Sequence, residues 1–482
     1  MLRSGFSRVT WVGAARALLS YRAAIAVALL LALLVTAGPA RSDPVTFTVN
    51  STDDGGDAAL NGTCDSDALA QGDQCTLRAA IQEANHTSDA DTINFNIGGA
   101  VGVKTISVGS SPTAAGQPLP PITQPVTING YSQSGATANT FVGVRAGTNA
   151  NLLIELNGAS TGPSDSGLVI NTEDVVVKGL VINRFGHGIS ISGSGAKDNR
   201  VEGNFIGSDP TGTTALGNGE GVSLFGDAGA NFIGGQVAAA HNLISGNFRG
   251  ISISSNTGNT IQGNLIGTNK AGTNNLGNAT QGISIGSSNN IVGSAAGNND
   301  AEANLIAFNG DRGILVASTG NRILNNSIHT NGELGIDLMG GNEDMNGVTK
   351  NDGRAKDRDT GANNLQNFPV ISSATVEGTP PTRTTTIKGT LKSTPKKTFA
   401  IQVYYSPQND PSGFGEGEWY FDRKDVTTNR KGRASFTFTT GDLGGMFVTA
   451  TATSLVPDPN NPTALIPTDT SEFSAAKETI SK

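Results

Sequence analysis

Gly188-Ile189-Ser190-Ile191, Gly221-Val222-Ser223-Leu224, Gly250-Ile251-Ser252-Ile253 and Gly282-Ile283-Ser284-Ile285 repeat one phrase. It returns as Gly313-Ile314-Leu315-Val316 and Gly335-Ile336-Asp337-Leu338, at steps of roughly 20 to 35 residues. Between these stands a second phrase, Asn-x-(Ile/Val), at Asn199-Arg200-Val201, Asn231-Phe232-Ile233, Asn259-Thr260-Ile261 and Asn321-Arg322-Ile323. A third recurs as Asn204-Phe205-Ile206-Gly207 and Asn264-Leu265-Ile266-Gly267. Apolar residues alternate with polar ones and the runs break at Gly and Asn, so these are short strands and not helical turns. A strand triplet with one apolar face cannot bury itself alone, but stacked coil on coil it makes a continuous core. The repeat therefore predicts a parallel β-helix. Thr211–Asn218 and Ala271–Asn278 are near copies of one outward loop, so the larger unit is a pair of coils.

The chain holds 64 Gly and only 15% charged residues, the composition of a fold built from repeated tight turns. Residues 1–22 carry Arg3, Arg8, Arg16 and Arg22 without an acid, and Ala23 to Ala37 follow without a charge. A spanning helix needs about twenty apolar residues. The shorter run predicts a secretory signal over residues 1–40, with cleavage after Val35-Thr36-Ala37 or Gly38-Pro39-Ala40. An uncleaved N-terminal anchor is the alternative. Both readings export the remainder, to the cell surface, the medium or the periplasm, with no integral span in the mature chain. The net charge of −8 argues against nucleic acid and anionic lipid as partners.

Cys64 and Cys75, the only cysteines, predict a disulfide in an exported chain. After them, Leu77, Ala80, Ile81 and Ala84 fall on one face of a short amphipathic helix. Such a helix would cover the open end of the solenoid, whose unpaired strand edges invite aggregation. Residues 41–100 are read as this N-terminal cap.

The stretch Cys75-Thr76-Leu77-Arg78-Ala79-Ala80-Ile81, followed by Ala84-Asn85, resembles the signature of the CSLREA-domain proteins. These are exported bacterial right-handed parallel β-helix proteins. The match holds at Cys75, Leu77, Arg78, Ala80, Ile81, Ala84 and Asn85 and departs at Thr76 and at Ala79, where the family usually has Glu. Asn363-Asn364-Leu365-Gln366-Asn367-Phe368-Pro369 also looks like that family. The resemblance implies architecture and export; it implies no reaction.

The coils occupy residues 101–340, those of 101–166 less regularly. Ser190, Ser223, Ser252 and Ser284 point outward and predict a flat, hydroxylated face, either solvated or binding. A pectate-lyase-like enzyme would need clustered carboxylates for Ca²⁺ and a base, and a glycosidase two facing acids. Asp311, Glu333 and Asp337 near the last coils are the catalytic candidates, with Asp209, Glu220 and Asp227 as a second group. Both groups read equally as surface charge. The coils contain no Trp, and Tyr131 is the only Tyr between residues 43 and 375, so sugar-stacking platforms are scarce there. His86, His187, His241 and His329 lack acid or Cys partners in sequence, which argues against a hydrolase triad or zinc site. His187 and His329 are read as turn residues.

Residues 341–375 form an acidic linker. Within it Asp352, Asp357, Asp359 and Asn363 resemble a Ca²⁺ loop. It lacks a trailing bidentate Glu and contains Arg354, Lys356 and Arg358, so a solvated linker is the other reading. No cofactor is required. From 376 to 482 the alternation of Phe399, Ile401, Val403 and Tyr405, and of Ala434, Phe436 and Phe438, predicts an Ig-like β-sandwich. Trp419, Tyr420, Glu416 and Glu418 gather beside its Gly-rich loop, where a core Trp competes with a ligand contact. Two functions follow. One is a non-catalytic exported rod for adhesion or polysaccharide association, with the sandwich as a second contact module. The other is a polysaccharide lyase or glycosidase on a pectate-lyase-like scaffold.

Overall fold

The computed structural model describes residues 43–482, apart from 68, 70, 71, 255, 256, 296–298, 353–356 and 358. The expected signal over 1–40, and the cations Arg354, Lys356 and Arg358, lie outside the described residues. Among the described residues, three parallel sheets of nine, eight and seven strands make a β-helix. In the third sheet Ile189 stands beside Val222, and Ile251, Ile283, Ile314 and Ile336 continue the row. All are buried, and each contributes about 1.5–3 kcal/mol over an exposed side chain. The glycine that opens each phrase has a steric reason. A Cβ on Gly188 would lie 2.6 Å from the carbonyl oxygen of Gly221 in the next coil.

The asparagines do more than turn the chain. Their side chains are buried and form rows down the corners of the coil. The N–H of Asn199 donates to Oδ1 of Asn231, and Asn231 donates likewise to Asn259, Asn259 to Asn290 and Asn290 to Asn321, all at 3.0–3.1 Å. A second row joins Asn204, Asn242, Asn264, Asn304 and Asn326. A third joins Asn218, Asn247, Asn278, Asn309 and Asn331. At each corner the backbone turns out of the sheet, and the amide supplies the partner that the ladder no longer provides.

The second sheet is apolar on both faces. Residues 131–152 leave the coil and cross its outer side, packing Val144 and Leu152 with Val181, Phe205, Leu243 and Leu265. This strap is pinned where the N–H of Thr148 donates to the carbonyl of Lys270 at 2.7 Å.

The solenoid begins earlier than the expected boundary at 101. Thr46–Val49 and Asp91–Phe95 are already the first two strands of the nine-stranded sheet. The helix Leu77–Ala84 covers that end, started by Thr76, whose hydroxyl accepts the N–H of Ala79 at 3.0 Å. Arg78 is buried against Asp54, 2.7 Å apart. Cys64 and Cys75 form the disulfide.

The far end departs further from expectation. The sandwich starts at Val370 and packs a four-stranded sheet with a five-stranded one. The stretch read as an acidic linker is partly interior, with Val348, Ala362, Leu365 and Phe368 buried. Asn363 becomes the next rung of the first row, accepting the N–H of Asn321 at 2.9 Å. Nor is the sandwich a free contact module, because it seals the coil. Ile328 exchanges two backbone hydrogen bonds with Gly417, both 2.9 Å. Thr470 accepts the N–H of Ile323 and Gln402 that of Asn325. Glu472 accepts those of Leu338 and Thr349. Strand edges that would otherwise recruit another chain are thereby paired.

Candidate functional site

The residue before the glycine of each phrase lies at the edge of the third sheet, one per coil. His187, Glu220 and Arg249 are neighbours in strand register. Their side chains run on from one to the next. Glu220 lies 3.5 Å from Nδ1 of His187 and 2.7 Å from Arg249. Arg249 Nε donates to Gln281 Oε1 at 3.1 Å, and Gln281 Nε2 donates to Asp311. Burial works to raise the Glu220 carboxyl, but the neighbouring His187 and Ser223 side chains and the Arg249 guanidinium outweigh it and bring it down to about 2. His187 is therefore a strand residue in a polar ladder, not a turn residue. His329 likewise ends the strand Ser327–His329. Ser190 and Ser223 are buried in this row while Ser252 and Ser284 are half-buried, so the hydroxylated face is not open along its length.

The ladder ends at the acids singled out as catalytic. The chain does bring Asp311, Glu333 and Asp337 together, but around a cation the sequence reading overlooked. Arg312 Nη1 lies 2.6 Å from Asp311 and 2.8 Å from Glu333, and its Nε contacts Asp337. The neighbouring Asp311 carboxyl, with burial, raises the half-exposed Glu333 carboxyl. Burial also raises Asp337, against the pull of Arg312. Arg312 occupies the same position before its glycine as His187, Glu220, Arg249 and Gln281, and that register was the available signal. The second acidic group does not assemble as one. Asp209 accepts the N–H groups of Thr213 and Thr214 in its own loop, while Glu220 belongs to the ladder and Asp227 sits in a left-handed turn.

Three of the four expected calcium residues, Asp352, Asp357 and Asn363, have partners within the protein. Asn363 Nδ2 donates to the carbonyls of Asn321 and Thr470. Asp352 accepts from Asn367, and Asp357 accepts from the Ser393 hydroxyl, with burial pushing the Asp357 carboxyl up to about 6. Both ends of the Asn363 amide are thus engaged. Among the described residues no cluster of three or more His, Cys, Asp or Glu side chains could hold a metal ion.

A concave site lies where the strap, the last coils and the sandwich meet. Strand Trp419–Thr427 pairs with Thr398–Ser406, which places Trp419 opposite Tyr405, their rings stacked with centroids 5.4 Å apart. Trp419 is half-buried and faces this junction, not the sandwich core as the competing reading held. The strap brings Arg145 over it, 4.7 Å from the ring centroid, with Nη1 donating to the Glu418 carbonyl at 2.6 Å. A cavity of about 390 Å³ opens here, lined by Val142, Asp300, Asn325, Ser327, Glu418 and Tyr420 among others. A second, of about 490 Å³, shares Glu418 and continues past His329 and Asp410. Both lie in the size range of ligand sites. Burial raises the Glu418 carboxyl, with Arg145 opposing, and lowers His329 to about 4. Glu416, at the wall of the second cavity, is buried and pushed up to about 8.

No protein-family model matches the chain, and no curated protein does. Among solved structures, the enzymatically active domain of tailspike protein 4 from bacteriophage CBA120 is 10% identical, covering 87% of this chain and 68% of that one. The TM-score is 0.18, too low to carry fold or function across. Among the described residues no helix is long and apolar enough to cross a membrane.

Proposed function

We propose that this protein is an exported, non-catalytic β-helix rod that associates with polysaccharide at the cell surface or outside the cell. The observation that carries the non-catalytic reading is the engagement of Asp311, Glu333 and Asp337 with one guanidinium, that of Arg312. A glycosidase pair needs one acid that gives a proton and a second that faces it across the scissile bond. Here the carboxylates instead converge on a cation. Export is supported by the Cys64–Cys75 disulfide, which forms in oxidising compartments, and by the signal-like residues 1–40. Association with a polyol is supported by the chain's low charge, 15% of its residues.

One observation favours the lyase or glycosidase reading. The Glu333 carboxyl is half-exposed and is raised by the neighbouring Asp311 and by burial, so it has acid character. Incubating the purified protein with neutral and acidic polysaccharides, with and without Ca²⁺, separates the two. We expect retention on at least one polymer without new reducing ends or unsaturated uronides. Product formation abolished by Glu333→Gln would overturn the non-catalytic reading.

A further inference from the structure

We infer that the groove between the strap, the last coils and the sandwich is a binding site for a neutral sugar chain. This rests on the polysaccharide reading and gives it a place and a ligand class.

The first argument is the balance of hydrogen-bonding groups. Glu418 and Asp300 contribute carboxylates, and Ser327, which donates its proton to the Glu418 carbonyl at 2.7 Å, is left with an accepting oxygen. Asn325 Oδ1 is buried and accepts a hydrogen bond from no described residue, while its Nδ2 donates to Asp300 at 3.1 Å. The cation lining the first cavity is Arg145, already directed at Glu418 through Nη1 and Nη2. Acceptors outnumber donors even with the indole N–H of Trp419 counted, and the ligand must supply protons. Hydroxyl groups do so. A uronate, sulfate or phosphate would instead meet two carboxylates and one paired guanidinium, an unfavourable charge balance.

The second argument is the wall. Tyr420 and the indole of Trp419 stand on one side, with Val142, Val144, Ala301 and Ala303 also lining the cavity. Aromatic and aliphatic surface beside fixed polar groups suits a pyranose, whose C–H faces are apolar and whose rim is hydroxylated. The two cavities share Glu418, so the site has the extent for a chain of sugars and not one ring.

The test measures binding of neutral gluco-, manno- and galacto-hexaoses, and of an oligogalacturonate of equal length, to the whole protein by titration calorimetry. Two variants accompany it. Glu418→Gln keeps the shape but removes the carboxylate, and Ala301→Trp fills the cavity from a partly exposed position. Melting temperatures confirm that both fold. At least one neutral oligosaccharide should bind, about tenfold more weakly to Glu418→Gln and not measurably to Ala301→Trp. Equal binding to both variants would overturn the groove while leaving polysaccharide association intact. Preference for the oligogalacturonate would overturn the ligand class. Binding of none of the four to the unaltered protein would overturn the neutral-sugar site, and retention on a polymer in the polysaccharide screen would then leave the association reading standing.

Discussion

Glu416 of the sandwich accepts the backbone N–H of Asn331 at 3.2 Å and its side-chain Nδ2 at 2.8 Å. It occupies the place that an asparagine of the next coil would take. The third asparagine row thus ends on a residue 85 positions away in the chain, and the solenoid and sandwich share one hydrogen-bonded path. Local repetition builds the rod, and a distant segment finishes it.

That joint is sensitive to pH. Burial pushes the carboxyls of Glu416 and Glu472 up to about 8 from an ordinary 4.5, against the hydrogen bonds each accepts. The folded chain therefore holds protons that the unfolded chain has released between these values. The stabilisation is complete below about 4.5 and is lost as pH rises through about 8. Thermal unfolding followed from pH 5 to pH 9 should show a falling melting temperature. In the Glu416→Gln, Glu472→Gln double variant that slope should flatten.

The asparagine rows should behave as structural bonds. Asn259→Ala removes the acceptor of the Asn231 N–H and leaves it buried. A buried unsatisfied group costs about 1–3 kcal/mol. The unfolding free energy in urea should fall accordingly, while exposed Thr211→Ala in the outward loop should change it by less than about 0.5 kcal/mol.

Arg312→Met would leave Asp311, Glu333 and Asp337 facing one another without their shared cation. A loss of about 1–3 kcal/mol is expected at neutral pH. It should shrink on acidification as the carboxyls protonate, which unfolding at pH 7 and pH 4 would reveal. Sugar binding should be unchanged, because these residues lie outside the groove.

Calcium provides a separate check. Since Asn363 is a rung of the first row, Asp352, Asp357 and Asp359 lack the oxygen expected of it. Titrating the chelated protein with Ca²⁺ should give no heat and no change in melting. A saturable heat would show that the loop rearranges around the ion.

The coils were legible because their interior repeats in sequence. Ile189, Val222, Ile251 and Ile283 occupy equivalent places in successive coils, so one phrase reports one position. The asparagines were legible as punctuation only, since a turn and a buried rung favour the same residue. The junction was not legible. Arg145 meets Glu418 across 273 residues, and a single long-range contact leaves no period to detect. The linker was misread for a related reason. Its polar composition suits solvent, yet Ala362, Asn363 and Leu365 are placed by the last coil, which local propensity does not report.

The rows also bear on how such chains change length. Each rung asks of the next coil only an asparagine at its corner, and the terminal partners Asn363 and Glu416 ask nothing of the coil number. The strap is what fixes the count: it runs from Tyr131 on Gly203 past Lys270 to Glu418, so a coil pair added or lost between Asn199 and Asn331 would carry the sandwich away from Arg145 unless the strap changed length with it.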